Sequence, residues 1–394
     1  MQRQATLAPE TLCVRSARGH GDGSALVQPL VQSTTFVRDG LESHAVHRYS
    51  RESNPTVAAL EETLGELEAA PPAVAFATGL AAETALFQSI LSAGDHVVCA
   101  RALYGGTTRL LQKVLARFGI ETDFVDARDP GRVRAALRPA TKLVFLETPA
   151  NPTLDLTDVR AVAEVARRAG VLSAVDNTFL TGVLQRPLDL GADFSVYSTT
   201  KFIDGHSVAL GGAVVGRDAA RLEELRFVRK CTGSIQSPFN AWLTLQGLKT
   251  LPLRLRRQSE SAAAIAAWLA EHEDVARVHY PTLQDAALAE RQHEGAHGAV
   301  VSFELAGGFE RARSLLRHVR LCTLVEHVGS VETLLTHSAS MTHGGVSPEE
   351  RAAAGVTEGL LRISVGLEDV SDVIGDLSRA IRASAEEVQP CATR

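Results

Sequence analysis

A chain of 394 residues exceeds what one hydrophobic core usually supports, so two folding units are expected. With 45% hydrophobic and 22% charged residues it has the composition of a globular α/β protein, and a net charge of −6 gives no footprint for a nucleic-acid partner. Cys13, Cys99, Cys231, Cys322 and Cys391 are scattered with no Cys-x-x-Cys pair, which argues against a disulfide framework or a metal site and for a reducing compartment.

In chain order, residues 1–56 read as an extended arm. They hold few helical periods and many turn residues, among them Gly19, Gly21, Gly23, Pro29, Gly40 and Pro55. An arm of that length is expected to pack on another subunit. No apolar stretch has the length of a signal peptide or a membrane span, so a cytoplasmic location with no membrane partner is expected. Residues 57–250 read as a large α/β domain. Helical periods at 57–68, 81–91, 108–118, 131–137 and 159–169 alternate with β-branched runs at 96–99, 121–125, 143–146, 172–175, 194–197 and 212–215. Strands spaced by helices predict a mostly parallel sheet covered on both faces. Residues 251–394 read as a smaller α+β domain. An Ala-rich helix at 259–271 leads into it, strands follow at 300–305 and 361–365, and a last helix covers 370–385.

Five segments carry candidate chemistry. Thr78-Gly79-Leu80 opens a helix, where free backbone N–H groups and the helix dipole make a seat for a phosphate. Tyr104, one of four tyrosines, precedes Gly105-Gly106 in a loop after a strand and can lay its ring on a flat cofactor. Asp176 closes an apolar strand, the place where α/β sheets bind ligands, and a carboxylate there can pair with a protonated pyridine nitrogen. Lys201, one of only five lysines, lies 25 residues on, behind Ser198, Thr199 and Thr200. An apolar, hydroxyl-lined pocket lowers a lysine's pKa enough for it to form a Schiff base with pyridoxal phosphate (PLP). Arg362 sits inside an apolar strand, where capture of a substrate carboxylate would account for its burial. Four of them have a plainer alternative: Thr78 as a helix cap, Tyr104 as a loop aromatic, Asp176 as a turn cap, Arg362 in an internal ion pair. The spacing of Asp176 and Lys201 at successive strand ends favours the chemical reading. No G-x-G-x-x-G or Walker pattern supports a nucleotide.

Together these segments resemble the Cys/Met-metabolism (trans-sulfuration) family of PLP enzymes over residues 49–369. The motifs are Tyr49-Ser-Arg51-Glu-Ser-Asn54-Pro-Thr, Tyr104-Gly-Gly-Thr, Glu147-Thr-Pro-Ala-Asn151-Pro-Thr, Asp176-Asn-Thr178-Phe, Ser198-Thr-Thr200-Lys201-Phe-Ile-Asp-Gly-His, Met341-Thr-His343 and Arg362-Ile-Ser-Val-Gly-Leu-Glu. The resemblance implies PLP fold type I and a homotetramer, a dimer of dimers whose active sites are shared across the dimer. It implies that Lys201 bonds to the cofactor and shuttles protons, and that Tyr104 stacks on the ring and assists. Asp176 and Thr178 would hold the pyridine end, Asn151 the ring hydroxyl, and Gly79, Leu80, Ser198 and Thr200 the phosphate. Tyr49 and Arg51 would reach the phosphate of the neighbouring subunit. Arg362, Asn151 and Thr333 would bind the amino-acid substrate, with Glu332 meeting the distal amine of cystathionine. The implied reaction is γ-elimination or γ-replacement of the cystathionine γ-lyase or γ-synthase type. The alternatives are an O-acylhomoserine sulfhydrylase, a methionine γ-lyase, a β-lyase or a non-catalytic relative. Gly106 stands where methionine γ-lyases usually carry cysteine, which speaks against that member.

Overall fold

The computed structural model describes residues 7–17, 22–342, 344 and 347–388. His343 and Cys391, and Gly19 and Gly21 of the arm, lie outside the described residues. Among the described residues, seven strands form the larger sheet: β1 (Val74–Phe76), β2 (His96–Ala100), β3 (Glu121–Val125), β4 (Thr141–Glu147), β5 (Leu172–Asp176), β6 (Phe194–Tyr197) and β7 (Gly212–Gly216), in the order β1-β7-β6-β5-β4-β2-β3. Strands β2 to β6 are parallel to one another, and β7 runs antiparallel to both β6 and β1. Successive residues of β1 and β7 enter opposite cores. Val74, Phe76 and Val214 join one hydrophobic cluster; Ala75, Ala213 and Val215 join another. The sheet is therefore covered on both faces, which is why its strands read as continuous apolar runs.

The helices begin where small polar side chains satisfy their free N–H groups. Asn54 accepts from Thr56 N ahead of Pro55–Leu67, Thr78 from Ala81 N ahead of Gly79–Ile90, and Asp158 from Ala161 N ahead of Val159–Arg168. Residues 108–118 do not form one regular helix. They run as the end of Gly105–Arg109, a wide turn at Leu110–Val114 and a tight one at Leu115–Phe118, closed by Gly119 at φ +79°. The helix expected at 259–271 starts earlier and spans Leu251–Ala270. Leu251, Leu255, Ala262, Ile265 and Leu269 face the core, and Arg254 is buried among them, so its charge hid the period.

Among the described residues the smaller sheet holds five strands where the sequence predicts two: β8 (Val275–His279), β9 (Val300–Leu305), β10 (Thr323–Leu324), β11 (Leu334–His337) and β12 (Leu360–Ser364), in the order β10-β11-β12-β9-β8. The helices Gly308–His318 and Val370–Val388 pack against each other beside it. In the arm, the short helix Pro9–Val14 packs on Leu251–Ala270 and on Pro55–Leu67, with Cys13 buried. Val37, Leu41 and Val46 of the arm stay exposed.

Glu68 caps this core with an ionisable group. Its carboxyl is fully buried and takes the Tyr197 hydroxyl on one oxygen, while the other oxygen has no partner among the described residues. Burial lifts its pKa from an ordinary 4.5 to about 7. A folded-state pKa above the unfolded one means the neutral acid is favoured on folding. That stabilisation is complete below 4.5 and is lost as pH rises through about 7. Glu68→Gln is expected to flatten the thermal midpoint against pH in this window and to be the more stable protein above it, by up to about 3 kcal/mol. Parallel pH profiles for the two proteins would contradict this.

Candidate active site

A cavity of about 350 Å³ opens beyond the carboxyl ends of β4, β5 and β6 and is closed by Arg362 on β12. The first wall is the sheet itself. Parallel register sets Glu147 directly beside Asp176 and Asp176 beside Val196, so two acids end neighbouring strands. Past β6 the chain turns sharply through Ser198, Thr199, Thr200 and Lys201. Lys201 carbonyl accepts from Gly205 N at 2.8 Å, and Arg254 donates to the carbonyls of Phe202, Ile203 and Gly247, which fixes the turn from behind.

Lys201 Nζ lies 3.1 Å from His327 Nδ1. Burial, with the Arg362 charge adding to it, lowers the lysine pKa to about 8. A neutral amine is therefore accessible near physiological pH. Asp176 Oδ1 accepts from Thr178 N at 2.9 Å, and Thr178 Oγ1 accepts from Ser198 N at 2.9 Å. Thr178 thus locks the acid and the lysine-bearing turn to each other. Burial raises the Asp176 pKa, and burial together with the Asp176 charge holds Glu83 and Glu147 well above the usual carboxylate range. Three acids crowded in one apolar site call for a cation between them.

Glu147 also organises the opposite wall. One of its oxygens accepts from Tyr104 N at 2.6 Å and the other from Asn151 N at 2.9 Å, so one buried carboxylate positions both residues. The Tyr104 ring lies against Gly106, where an added Cβ would stand 2.3 Å from Cε1. Arg362 is 2% exposed. It donates to Asn151 Oδ1 at 2.8 Å, His327 O at 2.9 Å and Thr336 Oγ1 at 3.1 Å, while its Nε is buried without a partner among the described residues. That leaves part of the guanidinium for a carboxylate.

The remaining wall is an anion seat. Gly79 and Leu80 present the first N–H groups of a twelve-residue helix, capped by Thr78. A Cβ on Gly79 would meet Ser198 Cβ at 2.8 Å, so only glycine lets this helix end approach the lysine turn. Ser198 Oγ has no partner among the described residues. The Thr200 hydroxyl is less free, because it donates to Gly211 O at 3.1 Å and accepts from Gly211 N at 2.9 Å. A phosphate seat, a lysine of lowered pKa and an acid in one cavity fit PLP, whose pyridinium would give Asp176 a cationic partner.

Of the residues singled out from sequence, Lys201, Tyr104, Asp176, Thr178, Ser198, Thr200, Gly79, Leu80, Asn151 and Arg362 line this cavity. Four do not. Tyr49 and Arg51 stand away from it, with the Arg51 guanidinium 5.5 Å above the Tyr49 ring and donating to Lys230 O at 2.6 Å. Glu332 is exposed. Thr333 is buried with its hydroxyl donating to Glu368 at 2.7 Å and accepting from Gly366 N at 2.9 Å, so it holds a turn and does not face the cavity. Sequence reasoning passed over Glu83 and His327 and gave Glu147 no role. An acid in the apolar helix start Leu80-Ala81-Ala82-Glu83 was a usable signal; the His327 loop carries none.

The Cys/Met metabolism PLP-dependent enzyme family model matches residues 10–382. O-succinylhomoserine sulfhydrylase of Pseudomonas aeruginosa is 44% identical over 85% of this chain and 83% of its own length. Cystathionine β-lyase of Bacillus subtilis is 41% identical over 95% of each chain. The crystal structure of cystathionine γ-synthase from Xanthomonas oryzae, in complex with aminoacrylate and cysteine, superposes with a TM-score of 0.94 at 40% identity, over 97% of this chain and all of that one. These relatives run different reactions, so what they share with this protein is the cofactor and the fold. The chain belongs to the Cys/Met metabolism family of PLP-dependent enzymes, and its fold is the type I PLP fold.

Proposed function

We propose that this enzyme performs γ-elimination or γ-replacement on a sulfur amino acid or homoserine derivative, as a cystathionine γ-lyase or γ-synthase does. The observation that carries the reading is that Lys201 Nζ and the Arg362 guanidinium line one cavity and both meet His327, at 3.1 Å from its ring Nδ1 and 2.9 Å from its carbonyl oxygen. An α-amino acid held by its carboxylate at Arg362 would present its Cα to the lysine.

When bound, PLP supplies an electron sink for negative charge at the substrate's Cα. The chain's own residues would do the rest. Gly79, Leu80 and Ser198 hold the phosphate through backbone N–H groups and a free hydroxyl, with Thr200 joining if its hydroxyl leaves Gly211. Asp176, fixed by Thr178, holds the pyridine nitrogen, and Asn151 Nδ2 the ring hydroxyl. Lys201 in its neutral form would take the proton from Cα, release that proton again within the site to regain its lone pair, and only then take one from Cβ, while Tyr104 covers the ring and assists the transfers. Loss of the second proton expels the γ-substituent. A nucleophile arriving at Cγ gives replacement; hydrolysis gives elimination to a 2-oxo acid and ammonia. Glu332 would meet only the distal amine of a substrate long enough to leave the cavity.

The 44% identity to a sulfhydrylase supports a second reading, turnover of an O-acylhomoserine with sulfide. Purified holoenzyme should be given L-cystathionine in one cuvette and O-succinylhomoserine with cysteine in another. Release of 2-oxobutyrate and cysteine would make it a γ-lyase, and cystathionine formation a γ-synthase. Turnover of the ester with sulfide alone would favour the sulfhydrylase, and pyruvate from cystathionine would overturn γ-chemistry altogether.

The reading includes a cytoplasmic homotetramer built from dimers with shared sites. Its support is the exposed arm, and Tyr49 and Arg51 paired outside their own cavity. A charge-assisted bond from Arg51 to a neighbour's phosphate would contribute about 1.5–3 kcal/mol, roughly tenfold or more in retention. Arg51→Ala and Tyr49→Phe are each expected to lose cofactor on dialysis faster than the parent. Equal absorbance after dialysis would remove the shared site.

A further inference from the structure

The turn that carries Lys201 is pressed from one side by the segment 326–333. Gly329, at φ +87°, comes so near that a Cβ there would stand 2.5 Å from Phe202 N and 2.8 Å from the Lys201 carbonyl carbon. No residue but glycine fits this approach. It delivers His327, two residues earlier, into the cavity with Nδ1 3.1 Å from Lys201 Nζ. The carbonyl of the same residue accepts from Arg362 at 2.9 Å, so backbone and ring are held by the two cations of the site. His327 Nε2 is buried with no partner among the described residues. Glu326, Glu147, Tyr104 and Arg109 line the same cavity, yet none of them bonds to the imidazole.

Burial, then the charges of Lys201 and Arg362, lower the imidazole pKa to about 4, while Lys201 stays at about 8. Between these values the ring is neutral and the lysine keeps its proton. The ring must then turn the Nδ1 lone pair to the ammonium and carry its own proton on Nε2. His327 is thus an acceptor for the lysine's N–H and not a base that removes its proton.

We propose that His327 is a positioning residue for Lys201, its Nδ1 holding the amine in place whenever the lysine is not bonded to cofactor. The proposal rests on the reading of Lys201 as the cofactor-bearing lysine. A fixed acceptor favours the ammonium that forms when Lys201 takes a substrate proton and aims its N–H bonds for the return. Without it the amine loses proton affinity and rotates freely.

Three full-length variants test this: His327→Ala, His327→Asn, whose amide oxygen falls where Nδ1 was, and His327→Gln, whose amide reaches the Nε2 position. The rate of Lys201 acetylation by acetic anhydride is followed against pH in the cofactor-free chain by peptide mass, with exposed Lys113 as internal reference. The alanine variant should shift the Lys201 midpoint down by about one unit, asparagine should restore it, and glutamine should not. In the holoenzyme kcat should fall roughly tenfold in the alanine variant with KM little changed, again rescued by asparagine. Unchanged midpoints, or an asparagine variant that behaves like alanine, overturn the proposal. If alanine fails to fold, the asparagine–glutamine difference decides. A parent protein that carries no PLP on Lys201 would instead refute the function reading; a loaded parent with unmoved midpoints refutes only the role of His327.

Discussion

Replacing Lys201 by alanine is expected to lower turnover by at least about 10³-fold and to leave the fold intact. In the proposed mechanism the size follows from two losses at one atom: the covalent attachment of the cofactor, and the base that moves protons at Cα and Cβ. The other four lysines do not line the cavity, so none can substitute. Stability should not suffer. The ammonium is buried, makes one side-chain hydrogen bond, to His327, and faces the like charge of Arg362. Removing a buried charge of this kind is neutral or stabilising. Steady-state rates together with a thermal melt check both halves. An alanine variant of normal activity would end the mechanism, and one that melts far lower would show that the lysine also supports the turn.

Arg362→Ala should act differently, on binding and on stability together. The side chain is buried, ties Asn151, Thr336 and the His327 carbonyl, and is the counter-charge for Glu147 and Glu326. Its removal leaves polar groups unpaired inside the protein and should cost about 3 kcal/mol in stability. For substrate, loss of the proposed bidentate carboxylate contact should lower kcat/KM by about 10²-fold or more, mostly through KM. Arg362→Lys should restore part of the stability but little of the binding, because an ammonium cannot reproduce the planar fork. The check is kinetics on the free acid and on its amide. If the parent prefers the acid strongly and the alanine variant still does, Arg362 is not the carboxylate site.

Much of this site was legible in the sequence because its parts lie at the ends of strongly apolar strands. Asp176 closes β5, and Lys201 stands four residues past β6, places that strand period and burial mark without knowledge of pairing. What the sequence hid are the contacts made by pairing. Glu147 reaches Asp176 only through the β4–β5 register, and His327 meets Lys201 across 126 residues because Gly329 permits a close approach. Glu332 and Thr333 show the converse. The family resemblance puts them at the substrate, whereas a hydrogen-bonded turn through Glu368 leaves one exposed and one locked inward. Ala219–Thr232 buries only Leu222, Leu225 and Arg229 among many charges, so its period is too weak to read. Strands β10 and β11, of two and four residues, are too short to stand out.

The central claim is that Lys201 carries the cofactor in this cavity. Borohydride reduction of the purified holoenzyme, digestion and peptide mass measurement test it most directly. The mass of reduced pyridoxal phosphate is expected on the peptide that contains Lys201 and on no other of the five lysines. A cofactor found on Lys113, Lys142, Lys230 or Lys249, or a loaded protein with Lys201 unmodified, would contradict it.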